Sequence, residues 1–132
     1  MWRHLRRGQS ERGELSSAVI LLPIAVGLFL LVVHAALVFN GKQVVDAAAQ
    51  DALNASQQFG ADKSDGEDAA NVTLGLAGQL DDIDVQVSKN SETVTVVVEA
   101  KVRSAFFNVA NTVRSEVSGP SERFIDEADR QP

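Results

Sequence analysis

The chain has 132 residues and a formal net charge of −6, with 18 Asp and Glu residues against 12 Lys and Arg residues. An acidic balance of this kind argues against a nucleic-acid-binding protein, whose surface must be basic to bind phosphates. The chain contains no cysteine, which excludes both a disulfide-stapled module and a thiolate metal site.

The first feature along the chain is an apolar segment that follows a short basic leader. Residues 15–41 carry no charged side chain, and residues 15–39 alone provide 25 residues. A helix rises about 1.5 Å per residue and a bilayer core is about 30 Å thick, so about 20 residues suffice to cross it. Because a spanning segment must satisfy its own backbone hydrogen bonds, we expect residues 14–40 to form a transmembrane helix.

The charged flanks predict the orientation of this helix. Residues 1–14 contain four arginines and two glutamates, a balance of +2, whereas residues 42–132 contain 8 basic and 16 acidic residues, a balance of −8. Lys and Arg near a span stay on the cytoplasmic side. We therefore expect a single-pass protein of the cytoplasmic membrane with its N-terminus inside and its C-terminal domain outside. The alternative is a cleaved secretory signal peptide, but the apolar region of such a peptide is usually only about 7–15 residues long.

The helix is expected to continue beyond the membrane. Residues 42–55 are rich in helix-forming residues and contain no proline. Small and apolar side chains recur at spacings of three and four, which indicates one buried face. They are Val44, Val45, Ala48, Ala52, Ala55 and Phe59, and the polar residues on the other side are Asp46, Gln50 and Asn54. Gly60 marks the stop, so a single helix is expected from about residue 15 to residue 59.

A second, shorter helix is predicted from about residue 67 to residue 80, after the acidic segment 61–68. Asp65 or Asp68 is expected to cap this helix. Its apolar face would contain Val72, Leu76 and Leu80. Calcium binding by the acidic segment is the alternative to a solvated loop, but its Asp-x-x-Asp-Gly spacing differs from that of an EF-hand. We therefore favour the solvated loop.

Two β-strands are predicted next. Apolar and polar residues alternate over residues 83–87, a turn follows at residues 89–91, and residues 93–102 are dense in β-branched residues. One face of the second strand is apolar throughout, with Val94, Val96, Val98, Ala100 and Val102. Val113 and Val117 would complete a third strand or a loop over the hairpin. The expected fold is therefore α+β: a long N-terminal helix with a small second helix and a hairpin or three-stranded sheet packed on it.

The exterior part offers little for catalysis. Beyond residue 41 it contains no histidine, cysteine or tyrosine, which excludes the histidine-based nucleophile arrangements and zinc sites there. Asp81, Asp82 and Asp84 form a carboxylate cluster, but the last two lie at the start of a predicted exposed strand, which favours a solvated strand end. We therefore expect no enzyme activity, no metal site, no cofactor and no small-molecule substrate.

Four segments of the chain occur together in one order. They are a leader ending in Glu11-Arg12-Gly13, the helix start at residues 14–23, the juxtamembrane helix at residues 43–52 and the ending at residues 117–124. In this order they resemble the TadE-like pseudopilins of tight-adherence (Tad/Flp) pilus systems, in the form found in actinobacteria. The resemblance covers most of the chain. It implies a pilin-like precursor that a prepilin peptidase cuts on the cytoplasmic side after Gly13, leaving Glu14 as the new N-terminus.

The resemblance also implies a non-catalytic role, as a pseudopilin, minor pilin or assembly component of a Tad-type, type IV-related pilus or secretion machine. Its partners would be other pilin-like subunits, the Tad membrane platform and the prepilin peptidase, with no nucleic acid. Family members usually carry a glutamate where this chain has Ala18, beside Ser16 and Ser17. That departure favours a membrane-held minor component or assembly factor. The alternative from another class is a single-pass, membrane-anchored extracytoplasmic binding module with no link to pili.

Small residues along the first helix are the candidate surface for packing against other pilin-like helices. Helices in a bilayer associate through close packing, because lipid tails are as apolar as leucine. Gly27 lies within the span, and Ala48 and Ala52 lie beyond it. The alternative for the two alanines is that they pack beneath the chain's own hairpin. The predicted segments are a basic cytoplasmic leader (1–13), a transmembrane helix (14–40), an extracytoplasmic pilin-like domain (41–125) and a polar tail (126–132).

Overall fold

The computed structural model describes residues 7–58, 60–104 and 111–122. The elements in chain order are helices α1 (Arg7–Gln57) and α2 (Lys63–Gly75) and strands β1 (Leu80–Lys89), β2 (Thr93–Val102) and β3 (Asn111–Pro120). The predicted α+β class is therefore confirmed. The chain divides into two compact units, Met1–Ala36 and Leu37–Pro132.

Helix α1 is a single α-helix of 51 residues that includes Pro23. It begins at Arg7, within the basic leader, and therefore earlier than the apolar pattern predicted. It ends at Gln57, and Gly60 follows with a φ of +79°, a conformation that glycine adopts without steric cost. The predicted continuation of the helix beyond the apolar segment and its end just before Gly60 are confirmed.

The part of α1 in the second unit, residues 37–57, contributes one side of the hydrophobic core. Its buried apolar residues are Val45, Ala48, Ala49, Ala52 and Leu53. Val44 and Ala55 from the predicted stripe are half-buried, and Gln50 and Asn54 are exposed. The amphipathic pattern is thus confirmed, while Phe59 lies outside the described residues. Since most of these buried side chains are alanines, the neighbouring elements can approach the helix closely.

The three strands form one antiparallel sheet in the order β1-β2-β3, with β2 in the centre. The inward-facing residues of β2 are Val94, Val96, Val98, Ala100 and Val102, and all are at most 1% exposed. Residues directly opposite each other on antiparallel strands share a face, so Val87 and Val113 are buried on the same side. The predicted hairpin and its apolar face are confirmed. Val113 and the half-buried Val117 belong to a third strand rather than to a loop.

Helix α2 begins and ends earlier than predicted, at Lys63 and Gly75 instead of residues 67 and 80. Its N-cap is Asp62, so the prediction of Asp65 or Asp68 as the cap is wrong. Asp65 lies in the first turn, where its Oδ2 accepts a hydrogen bond from the Asp62 N–H at 2.7 Å. A negative charge in the first turn also suits the helix dipole. Much of the acidic segment predicted as a loop is therefore the start of a helix.

The predicted apolar face of α2 is also wrong. The buried residues of this helix are Gly66, Ala70 and Leu74, whereas Val72 and Leu76 are 70% and 85% exposed. A Cβ at Gly66 would come within 3.0 Å of the Ala52 carbonyl oxygen, so α2 approaches α1 at a distance that requires glycine. The larger hydrophobic residues indicated the wrong face because this helix contact is built from small residues.

Strand β1 is irregular near its start. Leu80, predicted as part of the second helix, is its buried first residue. The register shifts between Asp81 and Asp84, so Asp82 and Ile83 together oppose one residue of β2 in a β-bulge. Asp82 has a φ of +47°, a left-handed conformation that aspartate tolerates better than most residues. The predicted strand, residues 83–87, missed the three residues at the start of β1 and the two at its end. The predicted polar tail, residues 126–132, lies outside the described residues.

Candidate functional site

The apolar segment of α1 is the largest exposed hydrophobic surface in the described part of the chain. Its most exposed large side chains are 63–72% exposed, among them Leu15, Val19, Ile20, Leu22, Leu28 and Phe29. The helix is long and apolar enough to cross a membrane, and its most apolar window is not buried by the rest of the protein. The core helix of a soluble protein would be mostly buried. The segment is therefore consistent with a single-pass membrane anchor near the N-terminus.

The predicted processing site precedes this apolar segment. Gly13 and Glu14 both lie in helical backbone, and Gly13 is exposed. A Cβ at Gly13 would meet no atom within 4 Å. The Gly13 carbonyl oxygen accepts a hydrogen bond from the Ser17 hydroxyl at 3.0 Å. The structure therefore brings the predicted scissile bond and Ser17 together on the first turns of an exposed helix.

The three small residues predicted to pack against other helices have different environments. Gly27 is exposed within the apolar segment, and a Cβ there would meet no atom within 4 Å. Ala48 and Ala52 are completely buried within the core of their own chain. Both belong to the buried cluster that contains the inward-facing residues of β2. Their burial favours the alternative, that they pack within their own chain, and they offer no surface to a second molecule. Only Gly27 is placed where a neighbouring helix can reach it.

Gly41 joins the end of the apolar run to the core of the second unit. A Cβ at this position would lie 2.5 Å from Val102 Cγ2 and 3.4 Å from Leu80 Cδ2. Leu37 and Val38, just before it, are half-buried against the same core. The sheet therefore reaches α1 at the level where the apolar run ends. The sequence contained a signal for this contact, since a glycine within a helix costs about 1 kcal/mol relative to alanine and needs a packing reason.

Lys89 closes the C-terminal end of α1 from the inner face of β1. Its half-buried Nζ donates hydrogen bonds to the carbonyl oxygens of Ser56 at 3.0 Å and Ala61 at 2.8 Å. The last carbonyls of a helix have no intrahelical partner, and the helix dipole favours a cation beside them. Sequence reasoning placed Lys89 in a turn and missed this role. Its two partners are 33 and 28 residues away along the chain, which no local pattern indicates.

The carboxylate cluster at the start of β1 is neutralised by cations. Arg103 binds the Asp81 carboxylate through two hydrogen bonds, Nε to Oδ2 at 2.9 Å and Nη2 to Oδ1 at 2.6 Å. Lys101 Nζ donates to Asp82 Oδ2 at 2.8 Å. The Arg103 guanidinium holds the pKa of Asp81 below its ordinary value, and the Asp82 carboxylate raises the pKa of Lys101. A general acid or base needs a pKa close to the working pH. The pKa values of Asp81 and Lys101 are shifted away from neutral pH instead.

The same residues do not form a metal site. Asp84, the third predicted member of the cluster, accepts a hydrogen bond from Gln86 Nε2 at 2.8 Å. Within residues 7–58, 60–104 and 111–122, no group of three or more His, Cys, Asp or Glu side chains is arranged to hold a metal ion. The charged groups on this part of the sheet therefore serve as surface ion pairs.

An open groove of about 400 Å3 lies between α1 and the connection from α2 to β1. Its α1 side is formed by Asn40, Gln43, Val44 and Ala47, and Leu76 and Gln79 lie opposite. Thr73 also lines the groove, and its hydroxyl donates a hydrogen bond to Asp51 Oδ2 of α1. None of the lining residues is ionisable, so the groove suits a neutral or apolar occupant. The sequence did not indicate it, because it depends on how α2 packs against α1.

Comparison with protein families, with curated proteins and with solved structures gives no match. The candidate surfaces are therefore defined by geometry and chemistry alone. They are the exposed apolar helix around Gly27, the helical segment at the exposed Gly13 and the groove beside Leu76.

Proposed function

We propose that this protein is a single-pass protein of the cytoplasmic membrane and a non-catalytic, pilin-like component of a Tad-type pilus or related secretion machine. The observation that carries the proposal is helix α1 itself. Its segment of residues 15–36 exposes large apolar side chains, and the same helix continues into the core of a small α+β domain. A contiguous apolar surface of this size marks a membrane or protein contact rather than a water-exposed face.

The order of elements supports the pilin-like assignment. The pilin-like domain expected at residues 41–125 has a small sheet packed on the extended part of the long N-terminal helix. In this chain residues 37–57 of α1 pack against an antiparallel sheet whose central strand is β2. The assignment combines this arrangement with the leader that ends at Gly13.

The distribution of charge supports the orientation. The leader is basic, and the part after the apolar segment has 16 acidic against 8 basic residues, so the positive end of the chain stays in the cytoplasm. The paired state of Asp81 and Asp82 supports a non-catalytic exterior domain. Ala18, exposed on the first turns of the apolar segment, replaces the glutamate of the resembled family and supports a membrane-held component or assembly factor.

Mass spectrometry of the mature N-terminus from native membranes tests the proposal. We expect the mature chain to begin at Glu14. Gly13→Leu should accumulate the uncut precursor without disturbing the fold, because the position is exposed and a Cβ there meets no neighbour. The same substitution at Gly8 is the matched control and should leave cleavage unchanged. An intact Met1 terminus in wild-type cells, or a start near Ala36, contradicts the proposal. An uncut chain that remains in the membrane would favour the anchored binding module instead.

Labelling in intact cells tests the orientation separately. The chain has no native cysteine, and Ser64 is exposed in the first turn of α2. A cysteine at Ser64 should react with a membrane-impermeant maleimide once any outer envelope barrier has been removed. Protection of that cysteine until the membrane is lysed would reverse the assigned orientation.

A further inference from the structure

Leu76, which follows the last residue of α2, has the highest exposure of any large hydrophobic residue in the described part of the chain, at 85%. Val72 lies one turn earlier on the same helix and is 70% exposed. A single exposed leucine is ordinary on a protein surface. The position of Leu76 relative to the apolar run of α1 is what makes its exposure informative.

Leu76 lies beside the part of α1 that directly follows the apolar run. Phe39, the last apolar residue of the run, is 65% exposed. The residues opposite Leu76 across the groove extend from Asn40 to Ala47, a rise of about 10 Å along the helix. The headgroup layer on each side of a bilayer is about 5–8 Å thick. If the run ends at the hydrocarbon boundary, Leu76 therefore lies at or just above the headgroups.

The charges of the domain are arranged to permit this contact. At the end of the sheet nearest Gly41, six ionised groups form three pairs: Arg103 with Asp81, Lys101 with Asp82 and Lys42 with Asp46. Asp84 accepts a hydrogen bond from Gln86 instead, so this end carries only a small negative charge. The opposite end holds the acidic first turns of α2 and the hairpin turn, with Asp62, Asp65, Glu67, Asp68 and Glu92 against Lys63 and Lys89. An anionic leaflet repels acidic groups, so the less acidic end is the end suited to lie against it.

We propose that the connection between α2 and β1, residues 76–79, contacts the outer surface of the bilayer, with Leu76 inserted among the lipid headgroups. The proposal rests on the membrane anchor of the proposed function and adds a second attachment point to it. Leu76 and the apolar wall of the groove around Val44 contact lipid, and the neutral amides of Asn40 and Gln43 lie at headgroup level.

Depth-dependent fluorescence quenching tests the contact on the full chain. Single cysteines are introduced at Leu76, Val72, Asn90 and Gly27, and each is labelled with bimane. Each protein is reconstituted into phosphatidylcholine and phosphatidylglycerol vesicles that contain lipids with a nitroxide either near the headgroup or near the end of the acyl chain. Asn90, in the exposed turn at the far end of the hairpin, is the control for a site away from the membrane.

We expect a blue-shifted label at Leu76 that loses fluorescence with the headgroup nitroxide more than with the deep one. The label at Val72 should be quenched less, and the label at Asn90 should not be quenched. Gly27 should be quenched most by the deep nitroxide. If Gly27 is quenched and Leu76 behaves like Asn90, the lipid contact is refuted while the membrane anchor stands. If neither the Gly27 label nor the Leu76 label is quenched, the lipid contact and the membrane anchor are both refuted.

A third result would assign the surface to a different occupant. If the label at Leu76 is blue-shifted without quenching, and the shift grows with the ratio of protein to lipid, a second copy of the chain covers it. That result also overturns the lipid contact. Because Leu76 is exposed and outside the core, substitution there should not unfold the domain, so each outcome can be interpreted.

Discussion

The two halves of helix α1 have the same backbone and opposite surfaces. Residues 15–36 expose large side chains such as Leu22 and Phe29, whereas residues 37–57 bury small ones such as Ala48 and Ala52. In water, burial of apolar area stabilises by about 25 cal/mol per Å2, which drives the sheet onto the second half. In a bilayer that driving force between helices is missing, because the lipid is equally apolar.

Small residues therefore have different packing roles in the two halves of α1. In the C-terminal half, residues 37–57, small residues allow α2 to approach closely, as at Ala52 and Gly66. In the apolar half, a Cβ at Gly27 would meet no atom within 4 Å, so the position is open to a neighbouring helix. The following changes test each half against the other.

Ala48→Leu should have the largest effect on stability. Ala48 is completely buried, and adding three carbons to a packed core costs about 3 kcal/mol or more when neighbours cannot move. Hydrogen exchange of the β2 amides in detergent-solubilised full chain measures the loss. Ala47→Leu is the matched control, because the next residue of the same helix is exposed and should change stability by less than about 0.5 kcal/mol. Equal effects of the two changes would contradict the assigned inner face of α1.

Lys89→Met should have the second-largest effect. The change keeps much of the aliphatic chain but removes the hydrogen bonds to the Ser56 and Ala61 carbonyl oxygens. Leaving such groups unpaired costs about 1–3 kcal/mol. Exchange should increase first in the last turn of α1. Lys63→Met, at an exposed lysine, is the control and should leave that exchange unchanged. If the last turn of α1 is protected from hydrogen exchange equally in Lys89→Met and in wild type, water replaces the Lys89 ammonium without loss of stability.

The regular features of this fold could be predicted from the sequence because each repeats over many residues. The inward face of β2 follows from five alternating small or branched residues, and the extended helix follows from spacings of three and four. The buried face of α2 could not be predicted in the same way. Gly66 and Ala70 carry almost no hydrophobic signal, and their burial depends on how closely α1 approaches. Val72 and Leu76 carry a strong signal, yet they face outward.

The candidate sites also differ in whether a local sequence pattern marks them. Gly13 and Gly27 are marked by their place before and within an apolar run, so both positions could be proposed from the sequence. The groove beside Leu76 and the bonds of Lys89 depend on contacts between distant segments. Ala48 and Ala52 show the limit most clearly, since a small-residue stripe predicts close packing without indicating whether the partner is the same chain or another.

The acid dependence of stability should change slightly in Asp46→Asn. Hydrogen bonds from Lys42 and then Ser115 hold the pKa of Asp46 below its ordinary value. Because the folded pKa is below the unfolded one, about 3.9, the stabilisation is fully present above that pH and is lost as the pH falls through the folded pKa. The advantage of wild type over Asp46→Asn should therefore shrink from pH 5 downward, as about pH 4 is passed.

Unfolding of the full chain at a series of pH values measures that advantage. Ser115→Ala, which removes the second hydrogen bond to Asp46, should reduce part of the same acid-sensitive difference. An advantage of wild type that stays constant between pH 5 and pH 3 would show that the Asp46 interactions do not differ between the folded and unfolded states.

Gly27→Leu should have the smallest effect on folding and the most informative effect on assembly. The position is open, since a Cβ there meets no atom within 4 Å, and leucine suits a bilayer. Membrane insertion should therefore be unchanged, and the stability of the second unit should stay within about 0.5 kcal/mol of wild type. If a neighbouring pilin-like helix packs against this face, the added side chain separates the two backbones and lowers crosslinking between them.

Ala25→Leu is the matched control for this face. Side chains two residues apart on a helix point to nearly opposite sides. Ala25 is exposed in the same segment, so Ala25→Leu adds similar bulk to the other side of the helix. Crosslinking to the proposed pilin-like partners should fall in Gly27→Leu and persist in Ala25→Leu. Loss in Ala25→Leu alone would move the contact to the opposite face. Unchanged crosslinking and normal pilus assembly in Gly27→Leu cells would show that Gly27 faces lipid, and the apolar half of α1 would then serve only as an anchor.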